Sequence, residues 1–156
     1  MKYHIAQYNI AKLVAPLDDP RLADFVAALD PLNRLGDETP GFIWRHQTED
    51  GNSTSIRVRG DPMILINFSV WETIEQLFDY TYYSAHTGIF RRRREFFEHP
   101  KEAYLALWWI PAGHVPTVEE AEERLTYLQE HGPTPYAFGF KSRFPSPVAV
   151  EPESVS

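Results

Sequence analysis

Residues 63–70 read MILINFSV, and this run decides the fold. Apolar side chains occupy nearly every position, whereas a strand with one face in water alternates apolar and polar residues. The run therefore predicts a strand that is covered on both faces. We expect helices of the chain to cover one face, and a second sheet, supplied by a second copy of the protein, to cover the other.

The segments on either side of this run predict an α+β chain. Asp19 before Pro20 marks the start of a helix that Pro31 should end or kink, and a capping box from Thr117 to Glu120 starts another. Apolar residues alternate in strands and recur at spacings of three and four in helices. The predicted strands span 3–9, 41–47, 63–70, 103–110 and 136–141, and 48–55 form a hairpin loop. The predicted helices span 19–30, 72–100 and 117–131, and a break of the second near Ser84 or Gly88 is an alternative.

The order of these elements is β-α-β-β-α-β followed by α-β. That order is typical of a ferredoxin-like fold, here with an appended C-terminal helix and strand. A chain of 156 residues is long enough to bury a core of its own. We predict one domain at 1–144 and a disordered tail at 145–156, where proline, serine and glutamate replace apolar periodicity.

Composition narrows the classes of function. The chain has no cysteine, which excludes disulfides and thiolate metal sites, and its net charge of −7 opposes binding to nucleic acid. Neither a signal peptide nor a transmembrane run is recognisable, so we expect a cytoplasmic protein with no membrane partner. Aromatic residues make up 14% of the chain, which predicts either a pocket for an apolar or aromatic ligand or a large subunit interface.

The usual signatures of catalysis are missing from the sequence. Without a phosphate-binding glycine loop, a nucleophile elbow or a dinucleotide fingerprint, kinases, hydrolases and dinucleotide-dependent enzymes lose support. His4, His46 and His114 could join His86 in a metal set, but no paired histidine spacing is present, so we predict no such site. His114, in the loop before a helix, is expected to shape the turn.

One stripe of the predicted helix at 72–100 combines aromatic and charged side chains. Tyr82, His86, Phe90, Arg93 and Phe97 share a face, because spacings of three, four and seven return to the same side of a helix. His86 would bind a ligand or move a proton there, or else only close the edge of the core. Arg93 would hold a carboxylate or phosphate, or else join its neighbouring arginines in a surface of ion pairs.

Several segments resemble a known family. They are IAQYNIAKLVAPLDDPRLADFVAALDPLN at 5–33, PGFIWR at 40–45, YYSAHTGIFRRRREFF at 82–97, LALWWIPAGHVPTVEEAEERL at 105–125 and HGPTPYAFGFK at 131–141. Together they resemble the domain of unknown function 3291. The resemblance implies a dimeric α+β barrel, in the superfamily that includes antibiotic-biosynthesis monooxygenases and haem-degrading monooxygenases, and it implies no established activity.

A weaker similarity concerns the haem-degrading branch of that superfamily. The branch uses an asparagine on the first strand, and a tryptophan and a haem-ligating histidine on the second helix. This chain has Asn9, Trp71 and His86 in the corresponding elements. The spacing from Trp71 to His86 departs from that of the branch, so only Asn9 and His86 carry over, and haem is the one cofactor that the similarity suggests.

These observations lead to one hypothesis for a site between the sheet and the helices. It would bind an apolar or aromatic small molecule, and the protein would be a monooxygenase-like enzyme that needs no cofactor. Its catalytic residues would be His86, Asn9 and Arg93. The alternatives are a haem-binding protein that uses His86, and a non-catalytic homodimer that serves as a ligand-binding or accessory protein. The predicted ligand-binding residues are Tyr8, Phe68, Trp71, Tyr82, Tyr83 and Phe90.

Overall fold

The structure is a computed structural model, and it describes residues 2–46, 58–83 and 91–147. These ranges contain four strands and four α-helices. The strands are β1 (Tyr3–Lys12), β2 (Phe42–Arg45), β3 (Ile64–Trp71) and β4 (Leu105–Pro111). The helices are α1 (Ala23–Glu38), α2 (Ile74–Tyr83), α3 (Arg93–Phe96) and α4 (Val118–His131), and a short 3₁₀ helix (Pro20–Leu22) precedes α1.

The strands form one antiparallel sheet in the order β2-β3-β1-β4. β1 lies at the centre, where Gln7 is opposite Ser69 of β3 and Leu107 of β4. This order, with helices between β1 and β2 and between β3 and β4, is the ferredoxin-like arrangement that the sequence predicts. Among the described residues, no helix is both long and apolar enough to cross a membrane.

One face of the sheet, here called the α4 face, is closed. Ala6, Tyr8, Phe68, Val70 and Trp108 point to this side, and each is at most 2% exposed. They pack against the apolar stripe of α4, which consists of Ala121, Leu125 and Leu128. The expectation that only a second sheet could cover this face is wrong, because the appended helix of the same chain covers it.

The opposite face, here called the α2 face, carries two separate apolar clusters. The first, the Trp71 cluster, lies under α2 and includes Ile5, Trp71, Ile74, Leu77, Leu107 and Phe138. The second, the Phe96 cluster, lies at the other end of the strands and includes Leu13, Ala15, Leu22, Leu65 and Phe96. Trp109 packs against the first cluster while Trp108 lies on the α4 face, so these adjacent tryptophans face opposite sides of the sheet.

α1 runs past the residue that was expected to end it. Asp19 caps the 3₁₀ helix by accepting a hydrogen bond from the amide of Arg21, as its position before Pro20 predicts. Pro31, however, lies inside α1, which continues to Glu38. A proline leaves the carbonyl four residues earlier without its helical partner. Pro31 and Ala27 are both exposed, so water can solvate that carbonyl and the helix continues.

The segment predicted as a helix at 72–100 contains α2 and α3 in the described residues, and 84–90 lie outside them. Residues 97–100 are not helical. Phe97 has extended backbone angles and forms a β-bridge with Leu13, so its place on a helical stripe with Arg93 is wrong. The hairpin loop predicted at 48–55 lies outside the described residues.

The predicted final strand at 136–141 is also wrong. In the described chain this segment makes only isolated bridges, between Leu107 and Phe138 and between Thr134 and Ala137. It crosses to the α2 face, where Phe138 packs edge to face with Phe144 and the indole of Trp109 donates to the carbonyl of Phe144 at 2.9 Å. Two backbone hydrogen bonds between Phe138 and Leu107 and the burial of the Phe138 ring hold the segment in place.

Candidate functional site

A group of polar side chains lies on the α2 face between the two apolar clusters. It consists of Gln7 and Asn9 on β1, Asn67 and Ser69 on β3, and the indole N–H of Trp71, and we call it the amide cluster. Along β3, the residues on this face run from Trp71 through Ser69 and Asn67 to Leu65. Polar side chains thus separate an apolar residue of one cluster from one of the other.

The alternation of strand residues explains how the cluster forms. Residues two apart point to the same side, so Gln7 and Asn9 share a face of β1, as Asn67 and Ser69 do on β3. In the antiparallel register, Gln7 is directly opposite Ser69, and Asn9 is opposite Asn67. Four polar side chains are therefore brought together in the centre of the sheet.

Hydrogen bonds connect every member of the cluster. Gln7 Nε2 donates to Asn67 Oδ1 at 2.7 Å, to Ser69 Oγ at 3.0 Å and to the carbonyl of Asn67 at 3.3 Å. Asn9 Nδ2 donates to Gln7 Oε1 at 2.9 Å, and Trp71 Nε1 donates to Ser69 Oγ at 3.0 Å. A network of this kind fixes the rotamers of its side chains before any ligand arrives.

Burial divides the cluster into an inner and an outer part. Gln7 is 3% exposed and Trp71 is 1% exposed. Asn9 is half-buried, and Asn67 is exposed even though its neighbours on both sides of β3 are covered. The two asparagines therefore form an accessible polar surface, with apolar side chains at either end.

The side chains of the amide cluster can interact with a ligand through hydrogen bonds. Glutamine, asparagine, serine and tryptophan side chains donate and accept hydrogen bonds but do not exchange protons near neutral pH. They can orient a carbonyl, hydroxyl or amide group and polarise it. A general base would have to come from another residue or from the bound molecule.

Two of the predicted site residues belong to the amide cluster region, and two do not. Asn9 is part of the cluster, and Trp71 contributes its indole N–H to it. Tyr8 and Phe68 lie on the α4 face, with ring centroids 5.3 Å apart. Placing them in one pocket with Asn9 and Trp71 is wrong, because successive strand residues face opposite sides of the sheet.

The remaining predicted residues come from 82–93. His86 and Phe90 lie outside the described residues, as do the side chains of Tyr82 and Tyr83. Arg93 lies exposed on α3. Their roles, and haem binding through His86, stay predictions. Asn9, the other residue of the haem similarity, already donates to Gln7 in the amide cluster.

Tyr8 has a structural role on the α4 face. Its hydroxyl donates to Glu122 Oε2 at 2.5 Å, and Arg59 Nε donates to Glu122 Oε1 at 3.0 Å. Burial, followed by the contact with Glu122, raises the pKa of Tyr8 above its ordinary value. A neutral hydroxyl that is held in this way ties α4 to the centre of the sheet.

Tyr80 of α2 covers the buried side of Trp71. The two ring centroids are 5.0 Å apart, and the Tyr80 hydroxyl donates to the carbonyl of Leu32 in α1 at 3.2 Å. Burial raises the pKa of Tyr80 to about 12, with a further contribution from Asp37. Gly36 permits this packing, since a Cβ at that position would lie 3.2 Å from the Tyr80 hydroxyl.

A concave region lies beside the start of α4. This groove of about 620 Å³ is lined in part by His114, Glu119 and Glu123. Glu120 Oε1 lies 2.8 Å from His114 Nε2, and Glu120 Oε2 accepts from the indole of Trp108 at 2.9 Å. His114 thus shapes the turn before α4. The groove contains none of the predicted site residues.

Half of the predicted capping box forms at the same helix start. Thr117 Oγ1 accepts from the amide of Glu120 at 3.1 Å, as predicted. The Glu120 carboxylate does not return to Thr117, because His114 and Trp108 engage it instead.

The other histidines give no metal centre. His4 and His46 both lie on the α4 face, where His46 stacks on Phe68 with a centroid distance of 6.2 Å. Partial burial lowers the pKa of His46 below its ordinary value. Within the described ranges, no group of three or more histidine, aspartate or glutamate side chains could hold a metal ion.

The sequence analysis missed Gln7, Asn67 and Ser69. Their signal was the interruption of apolar strands by polar residues two positions apart, in IAQYN at 5–9 and in INFS at 66–69. Read singly, each polar residue looks like an ordinary strand position. Only the register between β1 and β3 shows that the two pairs lie side by side.

Comparison with known proteins gives remote structural relatives. A point mutant of SnoaB, a cofactor-independent oxygenase from Streptomyces nogalater, has 11% identity and a TM-score of 0.47, over 72% of this chain and 95% of that chain. PA3566 from Pseudomonas aeruginosa has 13% identity and a TM-score of 0.46, over 70% and 94%. A putative antibiotic biosynthesis monooxygenase from Nitrosomonas europaea has 16% identity and a TM-score of 0.39, over 72% and 89%.

These values are too low to support an argument about function. No curated protein matches the chain in sequence. A family model covers almost the whole chain, from residue 4 to residue 154, and so confirms the resemblance noted in the sequence. The chain belongs to the family described as domain of unknown function (DUF3291).

Proposed function

We propose that this chain binds a small apolar or aromatic molecule at the amide cluster. The ring of the ligand would lie between the Trp71 cluster and the Phe96 cluster, with its polar atoms on Asn9 and Asn67. The observation that carries the proposal is the exposure of Asn67 in the middle of a strand that is otherwise covered. A few fixed polar groups beside apolar walls are the usual composition of small-molecule sites.

The reaction we propose for a bound substrate is oxygenation. The superfamily that the chain resembles includes monooxygenases, and the amide cluster supports this reaction by holding a carbonyl or hydroxyl in place. The cluster has no group that takes up a proton near neutral pH. His86 is the residue to which we assign that step, since an unperturbed imidazole titrates close to neutrality.

The binding proposal is tested by an NMR titration with 2-naphthol, an aromatic bicycle with one hydroxyl group. We expect the side-chain amide signals of Asn9 and Asn67 and the indole signal of Trp71 to shift. Loss of one hydrogen bond should make Asn67→Ala bind about fivefold more weakly. Tyr8→Phe is the matched control, because it alters the adjacent position of β1 on the opposite face. Unchanged affinity in Asn67→Ala would exclude the site.

A non-catalytic ligand-binding or accessory role is the second candidate. It is favoured by the way aromatic rings of the α2 face fill space against one another, as Trp71 does with Tyr80 and Phe42 at centroid distances of 5.0 and 5.6 Å. NMR titration of the six histidines separates the two functions. An enzyme with His86 as its base should show a shifted pKa for that residue, whereas an accessory protein should not.

Haem binding is tested by the visible absorption spectrum. We expect the spectrum of added haem to stay that of the free molecule, because the proposed site works through neutral hydrogen-bonding groups. A shifted Soret band that disappears in His86→Ala would instead make His86 an axial ligand and favour the haem alternative.

The homodimer also belongs to this proposal. Light scattering should give twice the chain mass of 18.1 kDa, while a mass of 18.1 kDa would exclude it. Because α4 already covers one face of the sheet, the partner should contact other surfaces. A cytoplasmic location is also part of this proposal.

A further inference from the structure

Gln7 forms hydrogen bonds with Asn9, Asn67 and Ser69 of the amide cluster, yet it is too deeply buried to contact a ligand well. Its side chain is 3% exposed, and it is hydrogen-bonded at both ends. The nitrogen end faces Asn67 and Ser69, and the oxygen end accepts from Asn9. The question is what this buried amide does for the two more accessible asparagines.

The backbone decides which way the Gln7 amide turns. An amide group has nearly the same shape in both orientations, so its hydrogen-bond partners must select one. The carbonyl of Asn67 lies 3.3 Å from Gln7 Nε2, and a carbonyl can only accept. Nitrogen must therefore occupy that side of Gln7, and oxygen the side next to Asn9.

The orientation of Gln7 then propagates to its neighbours. Since Gln7 Oε1 only accepts, Asn9 turns its Nδ2 inward to donate at 2.9 Å. Since Gln7 Nε2 donates, Asn67 turns its Oδ1 inward to accept at 2.7 Å. Two atoms remain for a ligand, Asn9 Oδ1 and Asn67 Nδ2. Neither has a hydrogen-bond partner among the described residues.

We infer that Gln7 is a positioning residue that gives the site a fixed polarity, with an acceptor on Asn9 opposite a donor on Asn67. This inference rests on the proposed function, and it names the ligand class. The ligand should carry a hydrogen-bond acceptor and a hydrogen-bond donor on neighbouring atoms at one edge of an apolar ring. The acceptor faces Asn67, and the donor faces Asn9.

Two probes that differ in one donor test the polarity. The first, 2-quinolone, carries an N–H beside a C=O on a bicyclic ring, and the second, 1-methyl-2-quinolone, keeps the carbonyl but has no N–H. Calorimetry with the wild-type chain should show about fivefold tighter binding of 2-quinolone, the contribution of one hydrogen bond. Equal affinities, or no binding of either probe, would overturn the inference.

Variants of Gln7 test whether this residue sets the polarity. Gln7→Met keeps the length of the side chain and removes both hydrogen-bonding ends, so the asparagines can turn either way. We expect the ratio of the two affinities to fall to within about twofold of unity, while 1-methyl-2-quinolone still binds. A merely structural role would weaken both probes equally and leave their ratio unchanged, which would contradict the inference.

A second variant covers the case in which Gln7→Met does not fold. Gln7→Glu keeps the acceptor for Asn9 but cannot donate, so Asn67 should turn its Nδ2 inward and present its oxygen. Both quinolones should then lose the donor to their carbonyl and bind at least about fivefold more weakly, whereas 2-naphthol, whose hydroxyl can donate to either asparagine oxygen, should keep its affinity. Equal weakening of all three probes would indicate a merely structural role and contradict the inference. If 2-naphthol shifts the Asn67 signal but the quinolones show no preference, the polarity is wrong and the proposed function stands.

Discussion

The α4 face and the α2 face consist of the same strands, but they are covered differently. On the α4 face, one apolar stripe of one helix covers an unbroken row of apolar residues, including Phe68 and Trp108. On the α2 face, the cover is divided between two clusters, and the gap between them holds the amide cluster. The comparison teaches that the closed face supplies stability, while the divided face leaves polar groups accessible for binding.

Truncation on the closed face should have the largest effect. Leu125 of α4 is fully buried against the sheet. Leu125→Ala should lower the free energy of unfolding by about 2–5 kcal/mol, through lost transfer energy and the remaining cavity. Urea unfolding measures the change. Thr126→Ala, at the exposed neighbouring position, should change stability by less than about 0.5 kcal/mol, and equal losses in both variants would refute the division of roles.

The polar tie between the sheet and α4 should have an intermediate effect. Tyr8→Phe keeps the ring against Phe68 and removes the donor to Glu122. We expect a loss of about 1–2 kcal/mol, because Glu122 keeps its contact with Arg59. Tyr127→Phe on the outer side of α4 is the control and should be neutral. A neutral Tyr8→Phe would show that apolar packing alone holds α4.

A change on the divided face should affect binding more than stability. Asn67 is exposed and makes one side-chain hydrogen bond, to Gln7. Asn67→Ala should lower the free energy of unfolding by no more than about 1 kcal/mol, although it removes a proposed ligand contact. Thermal unfolding with and without 2-naphthol measures both effects. A loss as large as that of Leu125→Ala would make the amide cluster a structural element.

The smallest effect should be a dependence of stability on pH that arises from His46. Burial lowers the folded-state pKa of His46 below 6.5, so on acidification the unfolded chain takes up the proton first. Its stabilisation is present above 6.5 and is lost as the pH falls through the folded-state pKa. Between about pH 7.5 and about pH 5.5, the wild type should lose more stability than His46→Gln. Parallel curves would mean that His46 titrates alike in both states.

The fold was more predictable than the site. The alternation of β1, the two-sided burial of β3 and the apolar stripe of α4 are local patterns, and the structure confirms all three. Two predictions, the end of α1 and the last strand, are wrong because the surroundings of a segment outweigh its local preference. α1 passes Pro31 because water can solvate the carbonyl of Ala27, and residues 136–141 bury their aromatic rings instead of extending the sheet.

The candidate site could be predicted only in part for a related reason. Asn9 and Trp71 were predicted as site residues because their residue types suggest a chemical role. Gln7 and Ser69 were missed because each gains its role from a partner more than sixty positions away in the chain. Tyr8 and Phe68 were assigned to the wrong face, although alternation along β1 and β3 places them opposite Asn9 and Trp71.

The sequence by itself determined the order of the elements from β1 to α4, the burial of β3 on both faces, and the family to which the chain belongs. These properties follow from periodicity and local chemistry along the chain. Only the tertiary structure decided that α4 covers the second face of the sheet and that Gln7, Asn9, Asn67 and Ser69 form one network. The physical reason is that strand register and helix placement minimise the free energy of the whole chain, and no single segment contains that information.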